Sequence, residues 1–230
     1  MKRRQRVVFH GSNLTLPEGG RLAEALLKWF DKHKRNFSFR WITDPYEVLV
    51  VEIMLRKTTA RQVDKVWPRF RELFPTPWHL AEASLEEVEE VLAPLGLRQR
   101  ARQLQEIART IIEKWGGRVP KDPEKLKRLP GVGSYIAGCV ASFCYNMKLP
   151  LIDSNVERVL SRLLAKKLSG LSKANAFRLL RRAYLDVAPE RDLARFHYAL
   201  LDLASKVCKP KDPRCDDCPL RGWCNYYNLS

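Results

Sequence analysis

Apolar residues recur every three or four positions along most of this chain, and helix-start and helix-stop residues punctuate them. That period restricts the fold to packed helices, because a strand needs alternation every second residue. Leu22, Leu26 and Phe30 share one helical face. Asp44-Pro45-Tyr46-Glu47 combines an N-cap, a proline in the first turn and an acid three residues after the cap. Val48, Val51 and Leu55 continue that helix. Val63, Val66, Phe70 and Leu73 form another stripe, in which Pro68 predicts a kink or a fresh helix start. Ser84 and Glu87 read as a capping box, closed by Gly96. Leu104, Ile107, Ile111 and Trp115 run to a stop at Gly116-Gly117, and Asp122-Pro123 starts a further helix. Additional helices are expected over 134–146, 154–167, 172–187 and 190–207. Only Val7 to Phe9 hints at a strand. The fold class is therefore all-α, with about ten short helices.

The 230 residues suit one large domain or two small ones, and 45% hydrophobic with 30% charged residues provides for a packed core. No apolar run reaches the ~18–20 residues of a membrane span. The basic start MKRRQRVVFHG has no apolar stretch after it, so no secretory signal is expected and the location reads as cytoplasmic. A net charge of +16 favours a polyanionic partner, most simply nucleic acid.

Four of the six cysteines crowd into Cys208, Cys215, Cys218 and Cys224, which argues for a metal site over a disulfide framework. Four thiolates can hold zinc or an iron–sulfur cluster. The irregular spacing, with Pro210, Pro213 and Pro219 interspersed, describes a loop wound around something bulky and favours the cluster. Cys139 and Cys144 lie in an apolar helical stretch and read as core. Lys206, Lys209, Lys211, Arg214 and Arg221 make the thiol loop a basic surface suited to phosphates.

Leu129-Pro130-Gly131-Val132-Gly133 joins two helices, and its glycines leave main-chain N–H groups unobstructed at a helix N-terminus, where a phosphate can bind. Asp153 precedes an apolar helix, as an N-cap would. Taken in order, LPGVG, IDSNVERVL and the cysteine loop resemble the helix-hairpin-helix DNA glycosylases with a [4Fe-4S] cluster, the superfamily of endonuclease III and the adenine glycosylase MutY. The resemblance spans about residues 20–227. It implies a six-helix barrel domain over 38–147 and a cluster domain formed by 1–37 and 148–230, with DNA bound between them. It makes Asp153 the catalytic aspartate, assigns Gly131, Val132 and Gly133 to a DNA phosphate, and assigns Cys208, Cys215, Cys218 and Cys224 to the cluster.

The same resemblance bears on which base is removed. Strand-cleaving members carry a lysine where this chain has Tyr135, and a phenol cannot form an imine with the sugar. A monofunctional enzyme is implied. Tyr135, the segment Glu52 to Thr58 and the segment Gly96 to Ala101 are similar to the thymine glycosylases of T/G and U/G mismatches. The chain also runs only a few residues past Cys224, so the extra domain with which MutY reads oxidised guanine is not expected. Adenine excision and a non-catalytic iron–sulfur DNA-binding protein are the alternatives. By resemblance, Arg56 fills the gap left by the flipped base, Leu97 probes the opposite strand, Glu52 aligns with MutY's general acid, and Asn155 orients Asp153. The implied partner is double-stranded DNA with a mismatched or damaged base, met by a monomer.

Overall fold

The structure, a computed structural model, describes residues 18–96 and 98–229. Val7 to Phe9 and Leu97 lie outside the described residues. The described chain is helical with no strand. In order come α1 (Gly19–His33), α2 (Pro45–Met54), α3 (Ala60–Leu73), α4 (Pro77–Glu82), α5 (Leu85–Leu92), α6 (Gln99–Trp115), α7 (Pro123–Leu126), α8 (Ser134–Tyr145), α9 (Ser154–Leu163), α10 (Ala165–Leu168), α11 (Lys173–Val187) and α12 (Leu193–Lys206). No helix among them is long and apolar enough to cross a membrane.

The helix ends follow local chemistry. Asp44 accepts from the Glu47 amide, Thr59 and Gln62 make a reciprocal capping box, and so do Ser84 and Glu87. Gly96 and Gly116 close their helices in the left-handed conformation, with φ of 66° and 57°. Pro68 neither ends α3 nor starts a new helix. The Asp64 carbonyl, whose amide partner Pro68 removes, accepts a long 3.5 Å bond from the Ser38 hydroxyl. Three other expectations also shift. The 154–167 helix breaks at Leu164 into α9 and α10, the last long helix starts at Leu193 after a left-handed Asp192, and α4 was not anticipated. Six residues are too few to display a helical period, although Thr76-Pro77 is a sound start signal.

Two apolar cores result. One gathers buried residues from Phe39 to Val140, drawn from α2 through α8. The other joins Leu22, Leu26 and Phe30 of α1 to buried residues of α9, α11 and α12. Helix α8 is shared: Ile136, Ala137 and Val140 face the first core, Cys139 the second, and Tyr135 and Phe143 touch both. Whatever α8 carries therefore stands on the seam between the cores.

The link from α1 to α2 crosses that seam and is pinned by charge. Asp202 of α12 is fully buried and accepts from Arg40 Nη1 and Nη2 at 2.9 and 2.7 Å, and from Arg35 Nε at 2.6 Å. Burial alone would raise its pKa, but the hydrogen bonds and charge of Arg40, with Arg35 beside it, hold it below the usual value. The Arg40 guanidinium also lies 4.7 Å from the Tyr198 ring centroid. Removing one partner would leave a buried charge unmatched. Asp202→Ala is expected to cost about 3–5 kcal/mol in urea unfolding; a loss below about 1 kcal/mol would mean the pair does not tie the link down.

Candidate active site and nucleic-acid interface

Asp153 is the N-cap of α9, so the backbone itself fixes its carboxylate. Oδ1 accepts from the amides of Asn155 and Val156 at 3.0 and 2.7 Å, and Oδ2 accepts from Asn155 Nδ2 at 2.9 Å. The Asn155 carbonyl oxygen in turn accepts from Arg158 Nη2 at 3.2 Å, and Arg158 donates to the carbonyls of Cys208 and Ala204 at 2.9 and 3.1 Å. Glu52 of α2 faces Asp153 from the other core and is 7% exposed. Burial first, and the Asp153 charge second, push its pKa up to about 7, while a bond from the Cys139 thiol works the other way. A proton therefore resides on Glu52 for part of the time near neutrality.

Tyr135 sits in the first turn of α8, close enough to Glu52 and Asp153 for both to raise its pKa, after burial as the main cause. Its hydroxyl lies 3.0 Å from Nε2 of His197, a residue of α12 that is 1% exposed. Burial keeps His197 neutral, with its pKa pushed down to about 4; Asp153 opposes that shift and Arg40 adds to it. The sequence reading singled out neither His197 nor Arg158. A histidine inside the apolar run Phe196 to Leu201 was the available signal for the first.

Glu52, Tyr135, Asp153, Asn155 and Arg158 line a cleft of about 610 Å³ between the two cores, with His197 buried behind Tyr135. Its walls carry Arg35, Arg40, Arg56, Lys57, Arg158 and Lys209, with Glu52 and Asp153 as the acids among the described residues, and Phe37, Phe39, Tyr135 and Tyr198 as aromatic surfaces. Cations at the rim with carboxyls and rings inside suit a polyanion that delivers one flat group to the floor. Arg56 lies at the edge, where Nη1 donates to the Gly131 carbonyl at 3.0 Å. Gln103 Nε2 holds the adjacent Pro130 carbonyl at 2.7 Å, so two side chains grip the hairpin turn.

The three turn residues do different jobs. Gly131 has φ of 68°, and a Cβ there would come within 2.1 Å of Gln103 Nε2, so glycine is favoured and a larger residue would have to displace the Gln103 side chain. Gly133 is an N-cap with extended backbone, and its missing side chain leaves open space over the first amides of α8. Val132 is buried in the first core, and its N–H donates to the Leu129 carbonyl at 3.1 Å. It anchors the turn and has no free amide for a phosphate. Leu97 lies outside the described residues.

The four late cysteines are free thiols on one loop after α12. They lie close enough together to perturb one another. Burial pushes the Cys218 thiol up to about 11, with Cys208, Cys224 and Cys215 adding to the shift, and Cys215 is raised by burial, Cys224 and Cys208. Arg162 Nη1 donates to Cys208 Sγ at 3.3 Å and to the Lys209 carbonyl at 2.6 Å. The amides of Asn225 and Tyr226 tie the loop back to the end of α9, and Trp223 Nε1 donates to Glu18 Oε2 at 2.5 Å. Thiols gathered in this way, with an arginine at one sulfur, form a donor set for a soft metal group. Among the described residues no three His, Cys, Asp or Glu side chains are close enough to hold a single metal ion. Cys139, expected as core, is fully buried and lies close enough to Glu52 and Tyr135 for both to affect its pKa, which burial raises well above the usual thiol value.

Comparison with known proteins agrees with this arrangement. Residues 50–181 match the HhH-GPD superfamily of base excision DNA repair proteins. The chain is 40% identical over 210 residues to a thymine-DNA glycosylase of Aeropyrum pernix, covering 90% of this chain and 94% of that one. It is 38% identical over 203 residues to an adenine DNA glycosylase of Mycobacterium tuberculosis, covering 86% of this chain and 65% of that one. A solved thermostable thymine-DNA glycosylase superposes with a TM-score of 0.85 at 29% identity, covering 92% of this chain and 97% of that chain. The chain belongs to the HhH-GPD superfamily of base excision DNA repair proteins.

Proposed function

We propose that this protein is a monofunctional DNA glycosylase that removes thymine or uracil opposite guanine and leaves an abasic site. The observation that carries the reading is the pair of carboxyl groups, Glu52 and Asp153, facing each other in a basic cleft, with a tyrosine and not a lysine at position 135 in the first turn of α8. The 40% identity with a thymine-DNA glycosylase supports the choice of base. A pocket that admits thymine also admits uracil, which lacks only the 5-methyl group.

The roles follow from position. Gly131, Gly133 and the first amides of α8 receive a phosphate, with Val132 holding the turn in place. Arg56 releases the Gly131 carbonyl and occupies the gap left by the flipped nucleotide, and Leu97 contacts the opposite strand. Unstacking costs a few kcal/mol, less for a wobble pair. As the C1′–N1 bond breaks, its electron pair leaves with the base and cationic character develops on the sugar. Asp153 stabilises that cation and accepts a proton from the water that attacks C1′. Glu52 gives its proton to the departing base, and Asn155 holds Asp153 in register. Without an amine at position 135, water is the nucleophile at C1′, so strand breaks appear only after alkali or heat.

Cys208, Cys215, Cys218 and Cys224 would hold a [4Fe-4S] cluster. When bound, it would cross-link the loop that presents Lys209, Lys211 and Arg214 to DNA phosphates. The monomeric state, the division into 38–147 against 1–37 plus 148–230, and a nucleoid-associated cytoplasmic location belong to the same proposal. A second reading, adenine excision, draws on the proton held by Glu52, which suits protonation of a purine nitrogen, and on the similarity to an adenine DNA glycosylase.

A panel of duplexes carrying T/G, U/G and A/G pairs, treated with alkali to reveal abasic sites, separates the readings. T/G and U/G should be processed, and Asp153→Asn should lose turnover by at least about a hundredfold while keeping duplex affinity. Exclusive cleavage at A/G would establish the second reading, and no cleavage at any pair would leave a binding protein. Purified protein should be yellow-brown with about four irons per chain; a colourless protein holding one zinc would reject the cluster. Because the folded protein keeps the Glu52 proton to higher pH than the unfolded chain does, stability should fall as pH rises from about 4.5 through about 7. Glu52→Gln should remove up to about 3 kcal/mol of that loss in urea titrations at the two ends of the range; parallel curves would show that Glu52 ionises normally.

A further inference from the structure

The Tyr135 hydroxyl is one end of a buried hydrogen-bonded chain whose direction the donor inventory decides. His197 Nε2 lies 3.0 Å from Tyr135 Oη, and His197 Nδ1 lies 3.4 Å from Tyr184 Oη. A neutral imidazole has one donor and one acceptor nitrogen, so the two bonds must run in the same sense. Tyr184 is 1% exposed, and among the described residues His197 is the only partner its hydroxyl has. If His197 donated to it, the Tyr184 proton would be buried without an acceptor, at a cost of about 1–3 kcal/mol. Tyr135 has an alternative, because it lies on the cleft wall. The arrangement without an orphan has Tyr184 donating to Nδ1 and Nε2–H donating to Tyr135. The Tyr135 proton is then free for another acceptor. In the protein alone the acceptor close by is the Cys139 sulfur, a weak one, which also lies near Glu52.

We propose that Tyr184 and His197 are positioning residues for base excision, which orient the Tyr135 hydroxyl so that its proton is donated to a carbonyl oxygen of the pyrimidine as that base departs. This rests on the pyrimidine reading above and adds a donor to it. A pyrimidine carbonyl is a better acceptor than the Cys139 sulfur and displaces it. The bond strengthens as negative charge develops on the leaving base, so it favours the transition state over the bound substrate. No covalent bond forms at Tyr135, and its proton stays on the phenol.

The test is a mutant cycle read under single turnover on a T/G duplex, with duplex affinity measured alongside. Tyr135→Phe and His197→Phe should each slow base release by about tenfold or more, with affinity changed less than about twofold. Adding His197→Phe to Tyr135→Phe should slow it by less than about a further twofold, because His197 acts only through that hydroxyl. Equal losses in both backgrounds would reduce His197 to a packing residue and overturn the proposal. His197→Gln, which keeps a donor towards Tyr135, should recover most of the rate. Nitrogen-15 NMR of histidine-labelled wild type decides the direction even if a variant fails to fold. His197 should carry its proton on Nε2, and a proton on Nδ1 would reject the relay. A wild type that releases adenine and no pyrimidine would overturn the substrate reading while leaving the tautomer result intact.

Discussion

Two carboxyl groups meet across the seam between two apolar cores, and the cost of charging both at once organises the site. Asp153 is held by three N–H donors at the start of α9, which suits an acceptor-only carboxylate. Glu52 is buried with the Cys139 thiol nearby and no such set of donors among the described residues. Burial and the neighbouring charge thus divide the labour: one group accepts and stabilises positive charge, the other retains a proton to give. Neither core could build this alone, because Glu52 comes from α2 in one and Asp153 caps α9 in the other.

The rest of the fold keeps those two groups facing each other. Helix α8 carries residues of both cores, so Tyr135 and Cys139 lie near both carboxyls. The buried Arg40–Asp202 pair fastens the link between α1 and α2 to α12, the helix that also carries His197. Arg158 runs from Asn155 to the carbonyl of Cys208, so the thiol loop and the Asp153 cap share one guanidinium. A disturbance of that loop therefore has a short, hydrogen-bonded route to the site.

Much of this was legible in the sequence, for reasons that vary with the residue. The caps at Asp44, Ser84 and Asp153 were readable because N-cap chemistry is local. The thiol loop and the glycine turn stood out because each compresses its chemistry into a short run. Of the two alternatives at Pro68, a fresh helix start does not occur, because α3 runs through it from Ala60 to Leu73. Val132 resembled its glycine neighbours in the motif, yet its amide is consumed by the turn and its side chain by the core. His197 and Arg158 were invisible for a related reason. A single histidine in an apolar helix and one arginine among many acquire meaning only when Tyr135, Tyr184 and the Cys208 carbonyl come into reach.

The claim on which everything else rests is that Glu52 holds its proton well above the ordinary carboxylate range while Asp153 faces it. Infrared difference spectroscopy between wild type and Glu52→Gln reads this directly, through the C=O stretch of a protonated carboxyl group. The band should be present at about pH 5.5, fall to half near pH 7 and be absent from the variant at every pH. A Glu52 band already lost at about pH 5.5 would contradict the account.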